Sequence, residues 1–188
     1  MAKVLVSLAL LACLVFADED SAFKVKSFSS LKLKGTVLQG YEASCGAAAM
    51  ATVLGLYGKK TSEIEVLKVA PKSDMLSFAE LTKIADTFGF QAAGYKINID
   101  TFNKLRSPVI ARVDNRENYA HFVVVVNHDG DFVGVFDPSF GYYVQSKKEF
   151  FEWWNEDSYG VILIVIPKIS HSNSSIKLEL PNKNLFIR

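Results

Sequence analysis

The sequence predicts an α+β domain in which helices come first and an antiparallel sheet follows. Three observations predict it. In the first half, apolar residues recur at helical spacing behind Ser-x-x-Glu strings that have capping-box spacing. From residue 94 onward the period changes to short β-prone runs broken by turn residues. At 188 residues, 49% hydrophobic and 22% charged, the chain is long and apolar enough for one real core and is neither disordered nor fibrous.

The first helix is predicted over residues 45–57. That stretch is rich in Ala, Met and Leu, nearly uncharged, and stops at Gly58, a suitable C-cap. A helix apolar all round belongs in the centre of the core. Ser62-Glu63-Ile64-Glu65 opens a short helix to residue 69, ended by Pro71. Ser77-Phe78-Ala79-Glu80 opens a third, with Leu81, Ile84, Ala85 and Phe88 on one face and Gly89 closing it. Strands are then expected at 94–99, 109–113, 121–127, 132–136, 141–144 and 161–166, with a helical turn at 101–106. Asp129-Gly130 supplies a hairpin turn. Ser146-Lys147-Lys148-Glu149 is a third capping box, opening a helix that runs to Trp154. One of Trp153 and Trp154 is expected in the core. The other either packs too or faces a partner. Helices followed by a meander of antiparallel strands give the α+β class.

The ends read differently. Lys3 precedes an apolar run over residues 4–16, too short to span a bilayer at about 20 residues. Val15 and Ala17 fit the small-residue pattern before a cleavage point, and Asp18, Glu19 and Asp20 end the run. Residues 1–17 therefore read as a secretory signal peptide, 18–34 as an N-terminal extension, 35–167 as the domain and 168–188 as a basic, Ser- and Asn-rich tail. The expectation is an exported protein, periplasmic or secreted, with no integral membrane segment in the mature chain. A lipoprotein anchored through Cys13 in Leu-Leu-Ala-Cys is a minor alternative. With 21 Lys plus Arg against 20 Asp plus Glu, nothing global draws the chain to nucleic acid or an anionic membrane. Two cysteines, one of them in the leader, exclude a thiolate metal cluster, and His121, His128 and His171 have no zinc-site spacing with them. Cys45 stays unpaired. It is either a small buried hydrophobe or a nucleophile.

Three features around Cys45 favour the nucleophile. It follows Ser44 at the start of a buried helix, where unpaired amides and the helix dipole stabilise a thiolate. Gly46 beside it lets backbone approach closely. Gln39, six positions upstream, can fold back across a tight turn and donate to an oxyanion together with the Cys45 backbone N–H. His121 opens one strand and Asp137 closes the next, so a hairpin at 129–130 brings them together. His121 is then the base for the thiol, and Asp137 fixes its tautomer and orientation. Each feature alone has a structural explanation. A cysteine at an Ala-rich helix start is usually core, and Asp-Pro after a strand is usually a turn. All three would have to coincide by chance.

The string Gln39-Gly40-Tyr41-Glu42-Ala43-Ser44-Cys45-Gly46 and its Ala-rich continuation resemble the active-site motif of the C39 peptidases, the double-glycine or bacteriocin-processing peptidases. Tyr119-Ala120-His121 with its valines resembles the histidine motif, and Asp137-Pro138-Ser139-Phe140-Gly141 the acidic one. The resemblance runs from residue 37 to 167. It implies a papain-like fold and a Cys45/His121/Asp137 triad with Gln39 as oxyanion donor, without a metal or cofactor. It implies a peptide or protein substrate, with cleavage after small residues such as Gly-Gly, and a secretion-system partner. The chain looks like the free-standing, exported branch of the family. Tyr41, Tyr119, Phe140, Tyr142 and Tyr143 are candidates to line the cleft. Two other readings compete: an exported, non-catalytic peptide-binding or chaperone-like module, and acyl-transfer chemistry on the same three residues.

Overall fold

The computed structural model describes residues 33–73, 75–114, 120–127, 130–154 and 158–168. The expected signal peptide, the expected N-terminal extension up to residue 32, the tail beyond Lys168, Tyr119 and Asp129 lie outside the described residues.

The three early helices form where the sequence places them: α1 (Cys45–Leu56), α2 (Glu63–Val69) and α3 (Phe78–Thr87). Ser62 and Ser77 close complete capping boxes with Glu65 and Glu80. All of α1 except Gly55 is buried, which is why its sequence shows no polar face. Gly58, at φ +81°, turns the chain at its end.

The second half folds as β1 (Phe90–Asn98), a short α4 (Ile99–Asn103), β2 (Val109–Asp114), β3 (Ala120–Asn127), β4 (Phe132–Asp137), β5 (Gly141–Ser146), α5 (Lys147–Trp154) and β6 (Tyr159–Pro167). The strands make one antiparallel sheet, but not a simple meander. Its order is β1-β6-β2-β3-β4-β5, so the last strand is inserted between the first two. Burial explains the insertion. Ile162, Leu163 and Val165 of β6 need cover on both faces, whereas β1 is largely exposed and tolerates the edge.

Two cores lie on the two faces of this sheet. On one face α1, α2 and α3 pack against Ile110, Phe122, Val124, Phe136 and Leu163. On the other, Phe102 of α4 and Phe150 and Trp154 of α5 pack against Val109, Val123, Val125, Val133 and Ile162. Strand β3 is therefore covered on both sides, and its run of valines need not alternate with polar residues. Trp154 is buried. Trp153 also packs, half-buried, against the second core.

Gly160 belongs to that packing. A Cβ there would lie 2.2 Å from the Trp154 ring, whose Nε1–H donates to Val161 O at 3.2 Å. Gly160→Ala is expected to destabilise the fold by about 1–3 kcal/mol, read as a lower urea midpoint at unchanged slope. An unchanged midpoint would mean that the indole can move aside.

Candidate active site

The segment leading into α1 is fixed one N–H at a time. Val37 N donates to Thr52 Oγ1 in α1 at 2.9 Å. Gln39 N donates to Pro138 O at 2.9 Å, and Ser44 N to Tyr41 O at 3.2 Å. Gly40 N donates to both oxygens of Glu63, each at 2.9 Å, and Tyr41 N to Ser44 Oγ at 3.2 Å. The Ser44 hydroxyl lies between Tyr41 O, at 2.7 Å, and Glu63 Oε1, and has one proton to give to either. It makes no bond to the first turn of α1. Cys45, buried and unpaired, is the first residue of that turn.

His121 and Asp137 come from neighbouring strands. Val124 pairs with Phe136 in the β3–β4 hairpin, so the start of β3 and the end of β4 meet at one end of the sheet. His121 Nε2 lies 2.9 Å from Asp137 Oδ1. Oδ1 also accepts from Ser139 N at 2.8 Å. Tyr143 pairs with Val135, two residues before Asp137, and so shares its face of the sheet. Burial, then the Asp137 charge and a hydrogen bond to that carboxylate, push the Tyr143 phenol above its ordinary range.

With Nε2 committed to Asp137, the His121 ring has Nδ1 left, and Cys45 stands near enough to help raise the imidazole. Burial opposes a charge on His121 and is the largest single influence. Hydrogen bonds and charges from Asp137 and Cys45 together outweigh it and raise the imidazole to about 9.

Of the four residues expected from sequence, His121 and Asp137 are bonded to each other and Cys45 stands near His121. Gln39 lies on the adjoining loop. Its Oε1 accepts from Ser139 Oγ at 3.2 Å, and its Nε2 donates to Tyr41 O and Glu42 O, both at 3.1 Å. Gly46 has a different role from the one expected. A Cβ there would lie 3.3 Å from both Leu76 and Phe122, so the small residue serves helix packing. Of the aromatic candidates, Tyr41 and Phe140 are exposed, Tyr142 is buried against Phe136, and Tyr143 bonds Asp137.

Sequence reasoning missed Glu63 and Ser139 and gave Tyr143 a different task. Glu63 was legible only as a neighbour of a capping box. A second acid beside Glu65, on a helix too short to need both, was the available signal. Ser139 stood out only as a member of the Asp137-Pro138-Ser139-Phe140-Gly141 string, with no task of its own.

A papain-like arrangement is thus present: a cysteine at the head of a buried helix facing a histidine and an acid on an antiparallel sheet. The sequence model of the peptidase C39 family matches residues 34–170, and the chain belongs to that family of cysteine peptidases. It is 32% identical over 152 residues to "Probable functional amyloid protease FapD" of Pseudomonas fluorescens, covering 76% of this chain and 65% of that protein. The chain thus matches slightly less than two thirds of that relative's length. It is 27% identical to "Lactococcin-G-processing and transport ATP-binding protein LagD" of Lactococcus lactis subsp. lactis, over 82% of this chain and 23% of that one. Among solved structures, a double glycine motif protease from an AMS/PCAT transporter, in complex with the leader peptide, superposes with a TM-score of 0.61 at 27% identity. That match covers 71% of this chain and 91% of the other.

These matches overturn the expectation of an exported protein, periplasmic or secreted, and with it the Cys13 lipoprotein alternative. Two of these relatives carry the domain inside transport machinery, as part of a transport ATP-binding protein and of a transporter. The physical reason for the error is that a short apolar run behind one lysine is only a composition. Composition alone does not determine where the folded domain works. Among the described residues no helix is long and apolar enough to cross a membrane.

The His121 surroundings fix a pH dependence. A raised imidazole stabilises the fold fully below its unfolded value near 6.5, and that contribution is lost as pH rises through about 9. An NMR titration of the His121 ring is expected to show a midpoint near 9, moved towards 6.5 in Asp137→Asn. A wild-type midpoint at 6.5 would mean that burial outweighs both partners.

Proposed function

We propose that the chain is a cysteine endopeptidase that cleaves a peptide or leader after small residues such as Gly-Gly. The observation that carries this is His121, bonded through Nε2 to Asp137, with Cys45 beside it at the head of α1. A histidine held between a buried thiol and a buried carboxylate has one evident use, which is proton transfer to and from the thiol.

In this mechanism the Cys45 thiolate attacks the scissile carbonyl carbon. The carbonyl oxygen takes the negative charge and meets the Cys45 N–H and the Gln39 amide. Gln39 must first turn one N–H from the carbonyl of Tyr41 or Glu42 towards that oxygen, a rearrangement that binding of substrate can drive. The His121 imidazolium gives its proton to the leaving amine as the C–N bond breaks, leaving an acyl thioester on Cys45. Neutral His121 then takes a proton from water. The resulting hydroxide attacks the thioester, and Cys45 leaves as thiolate beside the re-formed imidazolium. Beyond the substrate, each step uses only groups of this chain and water.

The double-glycine preference draws support from the leader-peptide complex of the double glycine motif protease. The substrate class and a transporter or secretion partner draw support from the names of LagD and FapD. Glycines suit a nucleophile as enclosed as Cys45, because they let peptide backbone come close.

Peptides carrying Gly-Gly before the cut are expected to be cleaved, and a thioester adduct on Cys45 should be trapped by mass spectrometry. Cys45→Ala should abolish both. Gln39→Ala should lower kcat by roughly 100-fold while KM changes little. Cys45 alkylation that is slow, with an ordinary thiol titration unaffected by His121→Ala, would sink the proposal in favour of a peptide-binding module.

A further inference from the structure

We infer that Glu63 is a positioning residue for the oxyanion-binding loop, acting through Gly40 and Ser44 rather than on substrate. The inference rests on the peptidase reading above and deepens it. Glu63 is a buried carboxylate on α2, outside the group formed by Cys45, His121 and Asp137. A carboxylate taken out of water is costly unless its oxygens are hydrogen-bonded. Here both oxygens accept from Gly40 N at 2.9 Å, and Oε1 also meets the Ser44 hydroxyl. Gly40 directly follows Gln39, and Ser44 directly precedes Cys45. The two partners of Glu63 therefore lie between the two proposed oxyanion donors, each next to one of them.

The other ties on this loop make Glu63 necessary. The Gln39 amide is occupied with the carbonyls of Tyr41 and Glu42. When it turns to the oxyanion, those bonds weaken and the 40–44 turn loses internal support. Tyr41 N and Ser44 N bond only within the turn. The bond from Glu63 to Gly40 N comes from a different element, so it persists through the exchange. The fit is close as well, because a Cβ on Gly40 would lie 3.1 Å from Glu63 Oε2. A side chain at position 40 would press on the carboxylate.

Glu63→Gln tests this. The neutral amide keeps the shape but offers a single acceptor oxygen in place of two and loses the charge that strengthens both bonds. kcat for a Gly-Gly peptide should fall roughly 10- to 100-fold with KM nearly unchanged, because a loosened loop misplaces donors that act in the transition state. The alkylation rate of Cys45 and its pH profile should stay at the wild-type level, since they depend on His121 and Asp137. Gly40→Ala, which crowds the same contact from the other side, should reproduce that split. Amide exchange should quicken in 39–44 and not in α1. Equal kcat in Glu63→Gln and wild type overturns the inference, as does unchanged exchange in 39–44. An alkylation rate that falls in step with kcat also overturns it, because Glu63 would then support the whole fold. A wild type that neither cleaves peptide nor shows an activated Cys45 overturns the peptidase reading itself and this inference with it.

Discussion

Burying α1 is the constraint on which the other elements depend. From Cys45 to Leu56 its side chains are one Cys, Ala, Met, Val, Leu and one Thr, with no charge to present to water. Such a helix is stable only if every side of it is covered. The sheet covers one side through Ile110, Phe122 and Val124, and α2 and α3 cover the rest. Thr52, the polar side chain on this helix, is satisfied by accepting from Val37 N. The same bond fixes where the chain enters the helix. Its first residue thereby sits at the end of the sheet where β3 begins and β4 stops.

Polar groups gather where the strands leave the core, and they do so in complete sets. Asp137 is almost fully buried, yet it has His121 Nε2, Ser139 N and the Tyr143 hydroxyl around it. Glu63 is buried with Gly40 N and the Ser44 hydroxyl. A lone buried carboxylate would cost several kcal/mol, so each anion orders the donors around it. Asp137 orders the His121 imidazole. Glu63 orders a stretch of backbone. The two systems join where Gln39 N bonds Pro138 O and Ser139 Oγ bonds Gln39 Oε1. The loop before Cys45 and the loop after Asp137 therefore behave as one frame, with exposed Tyr41 and Phe140 on its rim.

The second core has a different task. It holds α4 and α5 against the far face of the sheet through Phe102, Phe150, Phe151 and Trp154, whose rings lie 4.8–5.9 Å apart. Aromatic packing of this density keeps β3 and β4 rigid from behind. A rigid sheet maintains the 2.9 Å contact between His121 and Asp137 without help from a ligand.

Sequence by itself determined the local elements and the chemistry. Capping boxes at Ser62 and Ser77 and the turn at Gly58 set helix ends to within a residue or two, because those signals act over three or four positions. The meeting of His121 with Asp137 was also legible, since pairing two successive antiparallel strands leaves few ways to arrange their ends. What only the tertiary structure decided were matters of long range. Insertion of β6 between β1 and β2 follows from which strand needs cover on both faces, and no neighbour in sequence reports that. The part of Glu63 follows from α2 lying against a loop more than twenty residues upstream of it. Tyr143 joins Asp137 through strand register. In each case the sequence shows an ordinary residue, and its role is created by desolvation and by the partner that burial brings to it.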